Sequence, residues 1–112
     1  IGILMQPTPA SHAAHGGQFV KARTVSYVES GGALVVPVPF TADTADTNST
    51  NSGNTERALR RLFNTIHGLW LPGGSHSLVA GGNTTYVVSA KVLIDAALND
   101  GAFPIGGNCL GL

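Results

Sequence analysis

Apolar residues fall into four short runs along the chain, separated by longer and more polar segments. Continuous apolar runs of this length are typical of buried strands, and we place the predicted strands at residues 1–6, 33–40, 67–74 and 103–108. The second run contains Pro37 and Pro39, and proline cannot donate a hydrogen bond to a neighbouring strand. We therefore expect the second strand to lie at an edge of the sheet or to end early.

Three of the segments between these runs carry apolar residues at helical spacing. The first, residues 18–32, ends in the pair Gly31-Gly32, which is a favourable helix terminator. The second begins after Thr55, a suitable N-cap residue, and the third covers residues 85–101. The predicted apolar faces contain Phe19, Ala22, Val25 and Val28 in the first helix, Ala58, Leu59, Leu62, Phe63 and Ile66 in the second, and Tyr86, Ala90, Leu93 and Ala97 in the third.

The predicted order, β-α-β-α-β-α-β, indicates an α/β fold with a mainly parallel, flavodoxin-like sheet and helices on both faces. Right-handed crossovers place the C-terminal ends of parallel strands along one edge of the sheet. The Pro-Gly-Gly turn at residues 72–74 and Cys109 each follow a predicted strand. We therefore expect this turn and this cysteine to be neighbours on that edge.

Residues 41–55 contain almost nothing that could enter a hydrophobic core. We predict a surface loop there, and its low complexity argues against a catalytic role. The chain has 112 residues, which leaves room for one small domain.

Composition excludes several kinds of partner. Six basic and six acidic residues cancel, and only 11% of the residues are charged, well below the usual proportion of about a quarter. The chain therefore lacks the basic surface that nucleic acid requires, and we interpret Arg57, Arg60 and Arg61 as the solvated face of the second helix. No apolar run is long enough to cross a membrane, and we expect no signal peptide in the chain.

Two Asn-x-Ser/Thr tripeptides, at Asn48 and Asn83, lie in polar loop sequence, where N-glycosylation would require them. Such tripeptides also arise by chance in loops rich in asparagine and threonine, so alone they say little about secretion. The single cysteine cannot form an internal disulfide.

Cys109 lies in the sequence Gly107-Asn108-Cys109-Leu110-Gly111, directly after the fourth predicted strand. A Gly-x-nucleophile-x-Gly sequence in this place is typical of a nucleophile elbow, a sharp strand-to-helix turn that the flanking glycines allow to close. The turn raises the nucleophile above the sheet and directs the N–H of the next residue, Leu110, at an incipient oxyanion. A small buried cysteine in a glycine-rich turn would give the same five residues. The preceding strand and the Pro-Gly-Gly turn on the same edge favour the nucleophile.

Four segments, in the same order, resemble gamma-glutamyl hydrolases, cysteine peptidases of the class I glutamine amidotransferase-like superfamily that trim poly-gamma-glutamate from folates. The resemblance is weak in residues 7–24 and 41–55. It implies that residues 1–112 are the N-terminal half of one amidotransferase-like α/β domain that ends at the elbow. The matching segments are IGILMQP (1–7), SYVESGGALVVPV (26–38), LFNTIHGLWLPGGS (62–75) and FPIGGNCLG (103–111).

By position, the resemblance makes Cys109 the nucleophile and the backbone N–H groups of Gly74 and Leu110 the oxyanion hole. It implies attack of the thiolate on a gamma-amide carbonyl, followed by a thioester that water hydrolyses. The histidine base of the family and its acidic partner lie after the elbow, in sequence that this chain lacks. We therefore expect the chain to be inactive alone and to be completed by a second chain or a C-terminal half.

The chain departs from the family pattern beside the elbow. Asn108 stands where threonine is common, and Gly106 replaces a bulkier residue, which should weaken the packing of the last strand. Without the later strands of the family, residues 103–108 should also have an unpaired edge.

The four histidines of the chain are weaker candidates for the base. His12, His15 and His76 follow strands on the edge that carries the elbow, whereas His67 begins a strand at the opposite end and is interpreted as structural. The histidine that the family places downstream is favoured over all of them. His12 and His15 have no third ligand in view, so we expect no metal and no cofactor.

The leading hypothesis is therefore a thiol hydrolase that acts on gamma-glutamyl bonds of folyl or antifolyl poly-gamma-glutamates. Two alternatives stay open: a glutamine amidotransferase domain, and a non-catalytic binding or assembly module that kept the elbow and lost the base. The family is typically secreted, lysosomal or vacuolar. Homo-oligomer formation also stays open.

Overall fold

The computed structural model describes residues 1–40, 52–74 and 84–109. Within these ranges the chain forms six strands, three α-helices and a short 3₁₀ helix at Ala10–His15. The strands are β1 (Gly2–Leu4), β2 (Gln6–Pro7), β3 (Gln18–Phe19), β4 (Val36–Val38), β5 (Leu69–Leu71) and β6 (Ile105–Gly107), and the helices are α1 (Ala22–Ser30), α2 (Ser52–Phe63) and α3 (Thr84–Asp100).

Four strands form one parallel sheet in the order β4-β1-β5-β6. Numbered along the chain, this is the order 2-1-3-4 with which the flavodoxin-like sheet begins. The predicted α/β class and parallel sheet are confirmed. Among the described strands β4 pairs only with β1, so the strand that contains Pro37 lies at an edge, as predicted.

One face of the sheet is covered by α2 and α3, which pack side by side. Leu59 and Phe63 of α2 and Leu93 of α3 are buried in one cluster with Leu4 and Leu69 of the sheet. The apolar spacing of both helices therefore identified the faces that pack. Phe63 also lies against Phe103, with ring centroids 4.2 Å apart.

The opposite face is covered by α1. Ile3 and Val28 are buried but stand apart from the cluster on the other face, and the Tyr27 ring of α1 lies 5.3 Å from the Trp70 ring of β5. Trp70 is only half-buried. Helices thus cover both faces of the sheet, as the alternating pattern predicts.

Three predicted helix boundaries are wrong, one of them the end of the second helix, which stops at Phe63 and leaves the buried Ile66 beyond it. The first helix begins at Ala22 instead of residue 18, because Gln18 and Phe19 form a two-residue antiparallel ladder with Gln6 and Pro7. The spacing of Phe19 had extended the predicted helix across a segment that makes these distant contacts. The second helix begins at Ser52, so Thr55 lies inside it and is not its N-cap. Apolar spacing locates the part of a helix that packs against the core, and it does not reveal a first turn that lacks apolar residues. The remainder of the predicted 41–55 loop lies outside the described residues.

The loss of packing expected at Gly106 is offset by Trp70, its neighbour across the β5–β6 pair. A Cβ atom added to Gly106 would lie 2.7 Å from atoms Cε3 and Cζ3 of the indole ring. The ring therefore occupies the space where a side chain on β6 would stand. In the described parts of the chain, no helix is both long and apolar enough to cross a bilayer.

Gly106→Val should lower the free energy of unfolding by about 1–3 kcal/mol, because the valine side chain would overlap the indole ring of Trp70 and force that ring out of its packed position. Urea unfolding would measure this loss, and Gly17→Val is the matched control because no atom lies within 4 Å of a Cβ added there. Adding Trp70→Leu to Gly106→Val should restore part of the stability. A Gly106→Val protein as stable as the parent would contradict this account of the packing.

Candidate active site

The segments that follow β1, β5 and β6 meet at the C-terminal edge of the sheet. The Gln6 side-chain amide donates a hydrogen bond to the carbonyl of Pro72 at 3.4 Å. The backbone N–H of Asn108 donates to the carbonyl of Leu71 at 3.2 Å. The Pro-Gly-Gly turn after β5 is thus held from both sides and lies beside the end of β6.

Gly73, in the middle of this turn, makes the closest approach to the cysteine. A Cβ atom added to Gly73 would lie 2.8 Å from the Asn108 carbonyl oxygen and 2.8 Å from the Cβ of Cys109. The N–H of Gly73 donates to Oδ1 of Asn108 at 3.1 Å, and its carbonyl accepts from Nζ of Lys21 at 2.9 Å. Only glycine fits here, and both of its backbone polar groups are hydrogen-bonded to side chains.

Cys109 has a left-handed backbone, with φ of 54°, and among the described residues no other non-glycine residue has a positive φ. Such a conformation costs a non-glycine residue roughly 1–2 kcal/mol. The cysteine is also exposed. A strained and exposed cysteine directly after a parallel strand fits a nucleophile elbow, and it does not fit a cysteine buried in packed hydrocarbon.

Buried polar side chains connect this edge of the sheet to α3 by hydrogen bonds. Gln6 is 1% exposed and is hydrogen-bonded to Tyr86 of α3 as well as to the turn. Burial raises the pKa of the Tyr86 phenol, and the hydrogen bond with Gln6 partly offsets that rise. The hydroxyl of Ser89 donates to the carbonyl of Phe40 at 2.6 Å. These contacts tie α3 to the ends of β1 and β4, so the edge is held by side chains as well as by the sheet.

A cavity of about 400 Å³ opens beside the elbow on the α1 side of the sheet. It combines one guanidinium group, two aromatic rings and a hydroxyl group, and the indole Nε1 of its tryptophan is buried with no hydrogen-bond partner. The lining residues are Arg23, Thr24, Tyr27, Trp70, Gly107 and Asn108.

The other site residues expected from the sequence divide into two groups. Leu110, His76, Asn48 and Asn83 lie outside the described residues. His12 and His15 are exposed on the 3₁₀ helix, and His67 is exposed just before β5. Across residues 1–40, 52–74 and 84–109, no group of three or more His, Cys, Asp or Glu side chains could hold a metal ion.

Sequence reasoning missed the side chains that hold the turn: Gln6, Lys21 and Asn108. Gln6 offered one signal, since it is the only polar residue in the first apolar run. Lys21 offered none, because it fell inside a predicted helix. The side chain of Asn108 was noted as a departure from the family pattern, and its bond to Gly73 depends on a contact between distant segments.

Comparison with known proteins supports the same class. No family model matches the chain. The chain is 34% identical over 117 residues to gamma-glutamyl hydrolase B of Dictyostelium discoideum, with 100% of the chain and 30% of that protein covered. It is 35% identical over 115 residues to the gamma-glutamyl hydrolase of Mus musculus and 34% identical over 116 residues to that of Homo sapiens, covering 99% of the chain and 32% of each protein.

The parallel sheet and these similarities together assign the chain to the class I glutamine amidotransferase-like α/β fold. Within that class, the chain is similar to the gamma-glutamyl hydrolases. The similarity extends over the whole chain, which spans about a third of the length of the curated relatives it matches.

Cys109→Gly should be more stable than Cys109→Ala by about 1 kcal/mol, because glycine adopts the left-handed conformation without the steric cost that alanine pays. Chemical denaturation of the two variants would measure the difference. Both lack the thiol, so the comparison isolates the backbone. Equal stability would mean that no strain is stored at this position.

The raised pKa of Tyr86 should make stability fall at alkaline pH. Its contribution is fully present below the ordinary phenol pKa of 10.0 and is lost as the pH rises through the higher pKa of the folded state, because the unfolded chain ionises first. Urea unfolding between about pH 8 and pH 11 should show a steeper loss for the parent than for Tyr86→Phe, which cannot ionise. If the unfolding free energies of the two proteins depended on pH in the same way, the raised pKa of Tyr86 would be refuted.

Proposed function

We propose that this chain supplies the nucleophile of a thiol hydrolase that cleaves gamma-glutamyl bonds, and that Cys109 is the nucleophile. The observation that carries the proposal is the position of an exposed cysteine on strained backbone, in contact with the Gly73 turn. The names of the relatives supply the bond that is cleaved. A binding module that kept the elbow would share this backbone, and turnover by the full-length protein separates the two.

In the proposed reaction, the Cys109 thiolate attacks the carbonyl carbon of the gamma-amide, and the carbonyl electrons move onto oxygen. The N–H groups of Gly74 and Leu110 stabilise that oxyanion, and each such donor is typically worth about 10²–10³ in rate. Collapse of the tetrahedral intermediate expels the amine, which takes a proton from a general acid, and leaves a gamma-glutamyl thioester. Water then attacks the thioester, releasing the gamma-carboxylate and restoring the thiol.

The proton transfers need a base and an orienting acid that we place in the part of the protein outside this chain. The described histidines, His12, His15 and His67, are exposed, and no hydrogen bond joins them to the described residues of the elbow or the turn. The chain spans about a third of its relatives, which leaves ample sequence to provide both groups. The remaining sequence could be joined to this chain or could be a second chain.

We propose folyl or antifolyl poly-gamma-glutamates as the substrate class. Such substrates are polyanions, and Lys21 and Arg23 place two positive charges near the elbow, one on the turn and one in the adjoining cavity. The aromatic faces of Tyr27 and Trp70 line the same cavity. A secreted, lysosomal or vacuolar location, with glycosylation at Asn48 and Asn83, belongs to the same proposal.

The test is hydrolysis of a gamma-glutamyl peptide by the full-length protein, with the alpha-linked isomer as the matched substrate control. Cys109→Ala should abolish turnover, and mass spectrometry of a quenched reaction should show a gamma-glutamyl adduct on Cys109. The isolated chain of residues 1–112 should not hydrolyse the gamma-glutamyl peptide. Full activity of Cys109→Ala would overturn the assignment, and activity of the isolated chain would overturn the need for an external base.

A further inference from the structure

We propose that Asn108 is a positioning residue of this site. Its side chain fixes the Gly73 turn against the elbow and so sets the distance between the thiol of Cys109 and the N–H of Gly74. The inference rests on the proposed function and adds a residue to it. The sequence singled out Asn108 only because threonine is common at this position in the family.

Asn108 makes two bonds to neighbouring residues of the β5 segment: its backbone bonds to the last residue of the strand, and its side chain bonds to the turn that follows. Its N–H donates to the carbonyl of Leu71 at 3.2 Å, which continues the parallel ladder one residue beyond β6. The next bond of the ladder would run from the N–H of Gly73 to the backbone carbonyl of Asn108, at the point where the chain leaves the sheet. Oδ1 of Asn108 takes over that role and accepts the N–H of Gly73 at 3.1 Å.

This bond decides which amide of the turn is left for an oxyanion. With the N–H of Gly73 bound to Asn108, the next amide along the turn is that of Gly74, and no described residue accepts a hydrogen bond from it. Without the side-chain oxygen, the Gly73 amide would lose its acceptor and the turn could rotate. Preorganised donors lose their value when they move away from the developing charge.

Lys21 holds the same turn from the opposite side. Its Nζ donates to the carbonyl of Gly73 at 2.9 Å. Side chains from two distant parts of the chain, one just before α1 and one just after β6, thus bind the C=O and the N–H of a single residue. Lys21 is exposed, so water can replace its ammonium group. Both bonds to Gly73 are part-buried, and Asn108 is exposed as well. The bond to Asn108 should matter more for the distance to the thiol, because Asn108 adjoins Cys109 and has a short side chain, whereas Lys21 reaches the turn through a long, flexible one.

The experiment compares Asn108→Leu, which keeps the size of the side chain and removes the acceptor, with Asn108→Thr, which restores a shorter acceptor. In the full-length protein, Asn108→Leu should lower kcat on a gamma-glutamyl peptide by about 10²-fold with little change in KM. Asn108→Thr should recover at least about a tenth of the parent kcat, and Lys21→Met should cost less than about 10-fold. Asn99→Leu, an exposed asparagine at the end of α3, is the matched control.

Alkylation of Cys109 by iodoacetamide separates positioning from a general loss of structure, because that reaction forms no oxyanion. Its rate should change by less than about twofold in Asn108→Leu. Hydrogen exchange at the Gly73 amide should become faster in the same variant, and this can be read without any substrate. An unchanged kcat in Asn108→Leu would overturn the inference, as would kcat and alkylation falling together without recovery in Asn108→Thr.

The two proposals fail in different ways. Turnover that survives Cys109→Ala would remove the proposed function, whereas the exchange rate at Gly73 would still report whether Asn108 holds the turn. Normal turnover in Asn108→Leu, with Cys109→Ala inactive, would remove only the positioning role.

Discussion

The parallel pairing of β5 with β6 is the interaction on which the site depends. The register sets Leu71 opposite Gly107, so the residues that follow each strand, the Pro-Gly-Gly turn and the elbow, leave the sheet at the same level. The contact of Gly73 with the Asn108 carbonyl and with the Cβ of Cys109 is a direct result of that register. A shift by one residue would move the turn away from the cysteine and would place Trp70 on the opposite face.

Much of the fold followed from the sequence alone. The four apolar runs became the four parallel strands, and the proline residues in the second run marked an edge strand because they cannot serve a neighbour on both sides. The helices were located correctly where their apolar faces meet the sheet, as in α3. These features depend on local periodicity, which a single sequence displays directly.

The errors and omissions share a physical cause. The ladder between Gln6 and Phe19, the fit of Trp70 over Gly106, and the bond from Asn108 to Gly73 all join residues that are distant along the chain. No periodic pattern records such pairs. The cysteine itself was identifiable because its motif is local, while the side chains that hold the turn beside it became visible only in three dimensions.

The side of the site formed by Gly73 has a consequence for recognition. Gly73 has no side chain, and its N–H and C=O are already hydrogen-bonded to Asn108 and Lys21, so this part of the site can do little to distinguish one ligand from another. Discrimination between ligands must then come from the side chains that line the rest of the site. On the described side, the cavity beside the elbow presents the side chains of Arg23, Tyr27 and Trp70. Changes at these three positions can therefore alter which ligands bind while the turn at Gly73 stays the same.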